Sequence, residues 1–215
     1  DRPPVCTDAE RDYLIEFANR YFKRDIAASD VVWTYSGVRP LHADGSSSAS
    51  AVTRDYTLKV DDDGAPILNI FGGKITTHRR LAEHAMEKLT PYLKGLPGKW
   101  TAGVPLPGGD FPVDGVPGLI SGLLAEFSFL TPFWARRLVR AYGTEARLVM
   151  GDAKAASDLG EDFGATLSER ELRWLMTREF ARRAEDVVWR RGKLGLRLSA
   201  GQITHIDDWM KAAQG

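Results

Sequence analysis

The chain has one cysteine, Cys6, which excludes an internal disulfide and suits a reducing compartment. It also lacks an excess of charge of either sign. Its 29 Lys and Arg balance 29 Asp and Glu, so the basic footprint of a duplex-binding protein is missing and nucleic acid is not an expected partner. The four histidines, His42, His78, His84 and His205, have no metal-ligand spacing with cysteine or acid partners, and no metal site is expected. There is no Gly-x-Ser-x-Gly elbow and no nucleophile motif around Cys6. The most apolar stretch, "GLISGLLAEFSFLTPFWARRLV", is broken by Glu126, Pro132 and two arginines. It falls short of a membrane span, and the chain is expected to be soluble. Its first residues, "DRPPVCTDAE", carry no initiator Met and no signal core, so a piece of a longer polypeptide is expected.

What is present has the composition of a globular protein, 43% hydrophobic and 27% charged. Thr7 and Glu10 have capping-box spacing ahead of Leu14, Ile15, Phe17, Ala18, Tyr21 and Phe22, which predicts a helix over 8–24. Three runs rich in β-branched and aromatic residues, "DVVWTYSGVRP", "SAVTRDYTLKV" and "APILNIF", predict strands. The "DDDG" between the last two predicts a hairpin. A helical stripe then runs from Ile75 to Leu89. Residues 91–118 hold six of the eleven prolines and seven glycines, marking a linker. Beyond it only helical patterns appear, over 119–130, 132–142, 144–150, 168–191 and 203–213, with Ser168/Glu171 and Ser199/Gln202 spaced as capping boxes. The predicted class is α+β: an incomplete αβ portion over 1–90, the Pro/Gly-rich linker, and an all-helical domain over 119–215.

The stretch "LNIFGGKITTHRR" carries the strongest chemical signal. A glycine pair at a strand end lets a ligand approach the main chain. The helix start behind it offers unpaired N–H groups and a positive dipole end, to which Lys74 adds a full charge. Such a start suits a phosphate or the ring edge of a reduced flavin. On the pattern alone, a tight strand-to-helix turn with an exposed lysine carries more weight. The glycine spacing is wrong for a phosphate-binding loop of the Lys-Ser type. Arg39 in "SGVRPL" and Arg54 in "VTRDYTL" can each offer a planar fork to a phosphate or carboxylate, although an arginine at a strand end is more often a solvated group. The basic run "RRAEDVVWRRGKLGLR" is interleaved with acids and reads as a solvated helix face. Phe127, Phe129, Phe133 and Trp134 ahead of Arg136, Arg137 and Arg140 read as a core helix with a basic flank before they read as a membrane surface.

Taken together, "YSGVRPL", "VTRDYTL", "NIFGGKITT.RRLAEHAMEKL" and "DVVWRRGKLGL" resemble, in order and along nearly the whole chain, the C-terminal part of the FAD-dependent glycerol-3-phosphate dehydrogenases, within the D-amino-acid-oxidase-like flavoproteins. The resemblance implies oxidation of sn-glycerol 3-phosphate to dihydroxyacetone phosphate, with hydride passing to FAD and electrons to a quinone. It implies that Arg39 and Arg54 bind the substrate phosphate. Lys74, the candidate catalytic residue, would sit at flavin and substrate, and Gly72, Gly73, Lys74, Ile75, Thr76 and Thr77 would bring backbone N–H groups to the cofactor. It further implies a peripheral location on the inner, cytoplasmic face of the membrane for the intact enzyme.

The sequence departs from that family at His78, where a tyrosine is common. It also contains no Gly-x-Gly-x-x-Gly fingerprint for the ADP half of FAD. The chain is therefore expected to lack an N-terminal FAD-binding portion and to be inactive alone. The catalytic base stays open between Lys74, a histidine elsewhere in the parent, and a water. Two alternatives stand beside the dehydrogenase: a helical docking or homodimerising module after residue 118, and an oxidase that passes electrons to oxygen.

Overall fold

In the computed structural model, residues 3–38 and 55–214 are described. The chain divides into two compact units, Asp1–Val104 and Pro105–Gly215, with the division inside the Pro/Gly-rich stretch. The class is α+β: one two-stranded sheet and otherwise helices among the described residues.

In the first unit, α1 (Asp8–Asn19) starts on a complete capping box: the Glu10 N–H donates to Thr7 Oγ1, and the Thr7 N–H to Glu10 Oε2 at 2.9 Å. It ends earlier than its apolar stripe predicts. The Asn19 carboxamide bonds both backbone groups of Ile26, at 2.8 and 3.0 Å, which folds the chain back before Tyr21 and Phe22 can extend the helix. The strand expected over residues 30–40 does not form over its described part: after a 3₁₀ turn at Ala28–Asp30, residues 31–38 belong to no strand. Strand propensity needs a ladder partner, and among the described residues the only ladder pairs the next two strands.

The expected hairpin is present. Strands β1 (Tyr56–Asp61) and β2 (Ile67–Gly72) run antiparallel, with Tyr56 opposite Gly72 and Asp61 opposite Ile67. Helix α2 (His78–Leu89) follows a 3₁₀ turn, Ile75–Thr77. No described residue of this unit is fully buried, and Phe17, Tyr21, Ile70 and Trp100 stand exposed.

The second unit has its own core. Helices α3 (Val116–Glu126), α4 (Pro132–Tyr142), α5 (Ala146–Met150), α6 (Glu169–Arg178) and α7 (Ala200–Ala212) enclose Leu138, Met150, Leu172, Ile206 and Met210. Thr131 caps α4 with Pro132 in its first turn, and a complete Ser199/Gln202 box starts α7. Gly143, at φ +55°, ends α4 against the backbone of Gly108. The Thr144 N–H donates to the Gly108 carbonyl at 3.0 Å.

The single long helix expected over 168–191 is broken in two. Helix α6 stops at Arg178, and the N–H groups of Glu179 and Ala181 both reach the Leu175 carbonyl. Phe180, between them, takes a left-handed φ of +57°. The Asp186 carboxylate then accepts from the N–H groups of Arg182 and Arg183 and opens a π-helical turn, Asp186–Arg191. The apolar stripe continues through buried Val187 and Val188, so periodicity alone conceals the interruption.

Candidate functional site

The candidate site is the junction of β2 and α2. Gly72 and Gly73 close the strand at φ +70° and +102°, a region side chains disfavour. A Cβ on Gly73 would lie 3.2 Å from Leu81 Cδ1 and 3.5 Å from Tyr56 Cβ, so the missing side chain lets α2 pack closely on β1. Lys74 is extended and its carbonyl accepts both the N–H and the hydroxyl of Thr77, each at 3.0 Å. Both the hydroxyl and the N–H of Thr77 are thereby committed inside the turn, so of the six residues expected to bring N–H groups to a cofactor, Thr77 has its own engaged. His78 Nδ1 lies 2.7 Å from the Ile75 carbonyl. A carbonyl only accepts, so Nδ1 carries the proton, and the His78 ring closes the 3₁₀ turn.

No side chain caps either the 3₁₀ turn or α2. The first turn of α2 contains no acid, as in α3, α4, α5 and α7, whereas α1 opens with Asp8 and Glu10 and α6 with Glu169 and Glu171. Instead Lys74 and Arg80 are exposed beside the turn and Ile75 is 88% exposed at its tip. An uncapped helix start flanked by cations is a place where negative charge on a ligand is stabilised. Gly72, Gly73, Lys74, Ile75, Thr76 and Thr77 are brought together here. Arg39 and Arg54 lie outside the described residues; Arg54 precedes the first residue of β1 by two positions.

Two sets of polar contacts hold α2. Tyr56 Oη meets His84 Nδ1 at 2.5 Å on the sheet side. Elsewhere on α2 the Thr101 hydroxyl donates to Glu83 Oε1, and Lys99 pairs with Glu87 at 2.7 Å. Thr101 holds the Glu83 carboxyl below its ordinary pKa, and Lys99 does the same for Glu87.

The sequence reading missed a buried cluster in the helical unit. Arg137 donates to Glu171 Oε1 at 2.7 Å and Oε2 at 2.6 Å, and to the hydroxyl and carbonyl of Thr166 at 2.8 and 2.7 Å. Tyr142 donates to Glu171 Oε1 at 2.7 Å. Spacing casts Glu171 as the reciprocal half of a Ser168 capping box. Its N–H does reach Ser168 Oγ, but its carboxylate turns into the core. Burial, reinforced by that carboxylate, pushes the Tyr142 phenol far above its ordinary value, so it remains a donor. Both carboxylate oxygens are occupied, so this cluster braces the fold and offers no free base. An arginine on an apolar helix stripe was the available signal for it. Among the described residues, no group of three His, Cys, Asp or Glu side chains is placed to hold a metal ion, and no helix is long and apolar enough to cross a membrane.

The sequence model of the C-terminal domain of alpha-glycerophosphate oxidase matches residues 99–211, more than half of the chain. The chain belongs to this family. The aerobic glycerol-3-phosphate dehydrogenase of Escherichia coli K12 is 46% identical over 205 residues, covering 94% of this chain and 41% of that protein. The glycerol-3-phosphate dehydrogenase of Pseudomonas aeruginosa is 39% identical over 210 residues, covering 97% of this chain and 41% of that protein. The D-erythritol 1-phosphate dehydrogenase of Brucella abortus is also 39% identical over 210 residues. The chain thus spans about two fifths of the length of these curated relatives. Coverage this broad takes in the Gly72–Thr77 turn as well as the alpha-glycerophosphate oxidase C-terminal domain.

Proposed function

We propose that this chain is the C-terminal portion of an FAD-dependent dehydrogenase that oxidises sn-glycerol 3-phosphate to dihydroxyacetone phosphate. The observation that carries the reading is the 46% identity to the E. coli glycerol-3-phosphate dehydrogenase across a stretch that includes the glycine-paired, uncapped helix start. The erythritol-phosphate relative keeps the substrate class at polyol phosphate monoesters, and the higher identity favours glycerol. Arg39 and Arg54 would hold the phosphate by paired N–H donors, and Lys74 with the backbone of Gly72–Thr77 would face the redox centre.

The residues present fit one end of the cofactor. The turn supplies positive-φ glycines, uncapped N–H groups and exposed Lys74, whereas no Gly-x-Gly-x-x-Gly turn is available for the pyrophosphate. Bound FAD would accept the hydride that the substrate gives up. The chain's own residues would orient the phosphate, keep the polyol carbon at the cofactor and stabilise negative charge there. By this reading the 215-residue chain alone does not turn over, and the missing N-terminal portion completes the site.

The acceptor is read as a quinone, with the intact enzyme peripheral on the inner face of the cytoplasmic membrane. Exposed Phe133, Arg136 and Arg140 on α4, which contains no acid, support that location. The description of the matching family as an oxidase favours oxygen as the second reading. A self-contained helical core likewise favours a docking or homodimerising role for residues after 118.

One assay separates these readings: the enzyme containing this chain, mixed with anionic phospholipid vesicles carrying a quinone, and offered sn-glycerol 3-phosphate or D-erythritol 1-phosphate. Expected are quinone reduction with the glycerol phosphate preferred, co-sedimentation with vesicles, and no turnover by the 215-residue chain alone. Arg39→Ala or Arg54→Ala should raise KM about 10- to 100-fold, the range of one lost charged hydrogen bond. Peroxide formation would select the oxidase, and a KM untouched by either arginine would refute the substrate site.

A further inference from the structure

We propose that Tyr56 and His84 form a brace that sets the Gly72–Thr77 turn, and that both are positioning residues for the oxidation. The contacts form a closed circuit. Tyr56 sits opposite Gly72 in the β1/β2 ladder, and its Cβ is one of two atoms that a side chain on Gly73 would meet. The other is Leu81 Cδ1 on α2. His84 follows Leu81 by one helical turn and so shares its face of α2. Its Nδ1 meets Tyr56 Oη at 2.5 Å, with the two rings edge to face at 5.7 Å. Strand end, glycine turn and helix are therefore linked through one tyrosine side chain.

The weight of this hydrogen bond follows from what surrounds it. No described residue in the unit is fully buried, so α2 is not seated by a close-packed core. Polar contacts carry a correspondingly larger share of its placement. The bonds from Thr101 and Lys99 engage Glu83 and Glu87, whereas Tyr56–His84 is, among the described residues, the one that ties α2 to β1, the strand paired with the end of β2 where the turn begins. The bond survives either assignment of the shared proton, because each partner can donate or accept. Tyr56 Oη is spent on His84, so the tyrosine acts on the turn through α2 and leaves ligand contact to the backbone. A displacement of about 1 Å at a reacting centre can cost on the order of a hundredfold in rate, so a brace of this kind is expected to act on kcat.

The inference rests on the reading that the turn faces the cofactor, and two measurements separate the two claims. In the 215-residue chain, without cofactor, Tyr56→Phe and His84→Leu should speed amide hydrogen exchange at Thr77 and His78, whose N–H groups donate to the Lys74 and Ile75 carbonyls, about tenfold relative to wild type. His84→Asn, whose carboxamide oxygen can stand where Nδ1 stood, should restore protection. In the enzyme containing this chain, Tyr56→Phe and His84→Leu should each lower kcat about tenfold, within the range set by misplacement. The substrate KM should stay within twofold, and the double variant should be no worse than either single one.

Unchanged exchange in both single variants, or kcat losses that multiply in the double variant, overturns the brace. If exchange quickens as expected but neither these variants nor Lys74→Ala changes kcat, the brace stands as local structure, and the claim that the turn serves catalysis is overturned. Should Tyr56→Phe fail to fold, the His84→Leu and His84→Asn pair decides the same question.

Discussion

Replacing Arg137 by methionine removes the guanidinium while keeping much of the side-chain volume. It deletes four hydrogen bonds and leaves the Glu171 carboxylate, only 2% exposed, with Tyr142 as its remaining side-chain donor. Exposed ion pairs contribute little, but Arg137 is itself only 16% exposed, and removing one partner of a buried pair costs about 3–5 kcal/mol. For a unit of this size each kcal/mol corresponds to roughly 4 °C in Tm, so the fall should be on the order of 12–20 °C. Urea and thermal unfolding of the 215-residue chain, followed by far-UV circular dichroism and by the tryptophans of the helical unit, would measure it. Arg137→Met combined with Glu171→Leu removes both charges and should recover most of the loss, because an apolar replacement of a buried pair is often neutral. An Arg137→Met variant within about 1 kcal/mol of wild type, or a double variant as unstable as the single one, would refute the argument.

Two further perturbations test the same unit. Gly143→Ala would place a methyl group 1.8 Å from the Gly108 carbonyl oxygen at a φ of +55°. Because the obstacle is backbone, a loss of about 2–4 kcal/mol in urea unfolding is expected, and an unchanged midpoint would refute the contact. Asp186 is opposed by burial, yet the N–H groups of Arg182 and Arg183 and the guanidinium of Arg190 hold its carboxyl below the ordinary 3.8. Since the folded value lies below the unfolded one, the stabilisation is present above about pH 4 and is lost as pH falls through the folded value. Asp186→Asn should flatten the acid limb of the stability curve, and an acid limb identical to wild type would count against the cap.

Sequence and structure agree where a signal lies within a few residues of its partner. Thr7/Glu10 and Ser199/Gln202 are both halves of one helical turn, and both boxes form. The "DDDG" turn set the hairpin register because a short loop leaves few ways to pair. The glycine pair after β2 was legible for the same reason: the need for positive φ is a property of each residue. Contacts absent from the periodic pattern, some of them from afar, decided the differences. Glu171 carries a capping-box spacing, but Arg137, 34 residues earlier, takes its carboxylate. Phe180 continues an apolar stripe, yet the helix has already ended, and Asp186 supplies the new start. Residues 31–38 have the composition of a strand, but the ladder formed among the described residues does not include them. Arg39 and Arg54, two of the eight candidate site residues, lie outside the described residues, and their role rests on the motif alone.

The uneven burial of the two units bears on how the chain is made. A ribosome delivers residues 3–104, none of them fully buried where described, before it delivers any of the core that begins at Leu123. At about 5–20 residues per second, the helical unit follows over an interval on the order of ten seconds. During that interval Phe17, Tyr21 and Ile70, all exposed even in the finished unit, belong to a nascent stretch that holds no core of its own. A holdase that binds short apolar segments at the tunnel exit would find its sites in this first half.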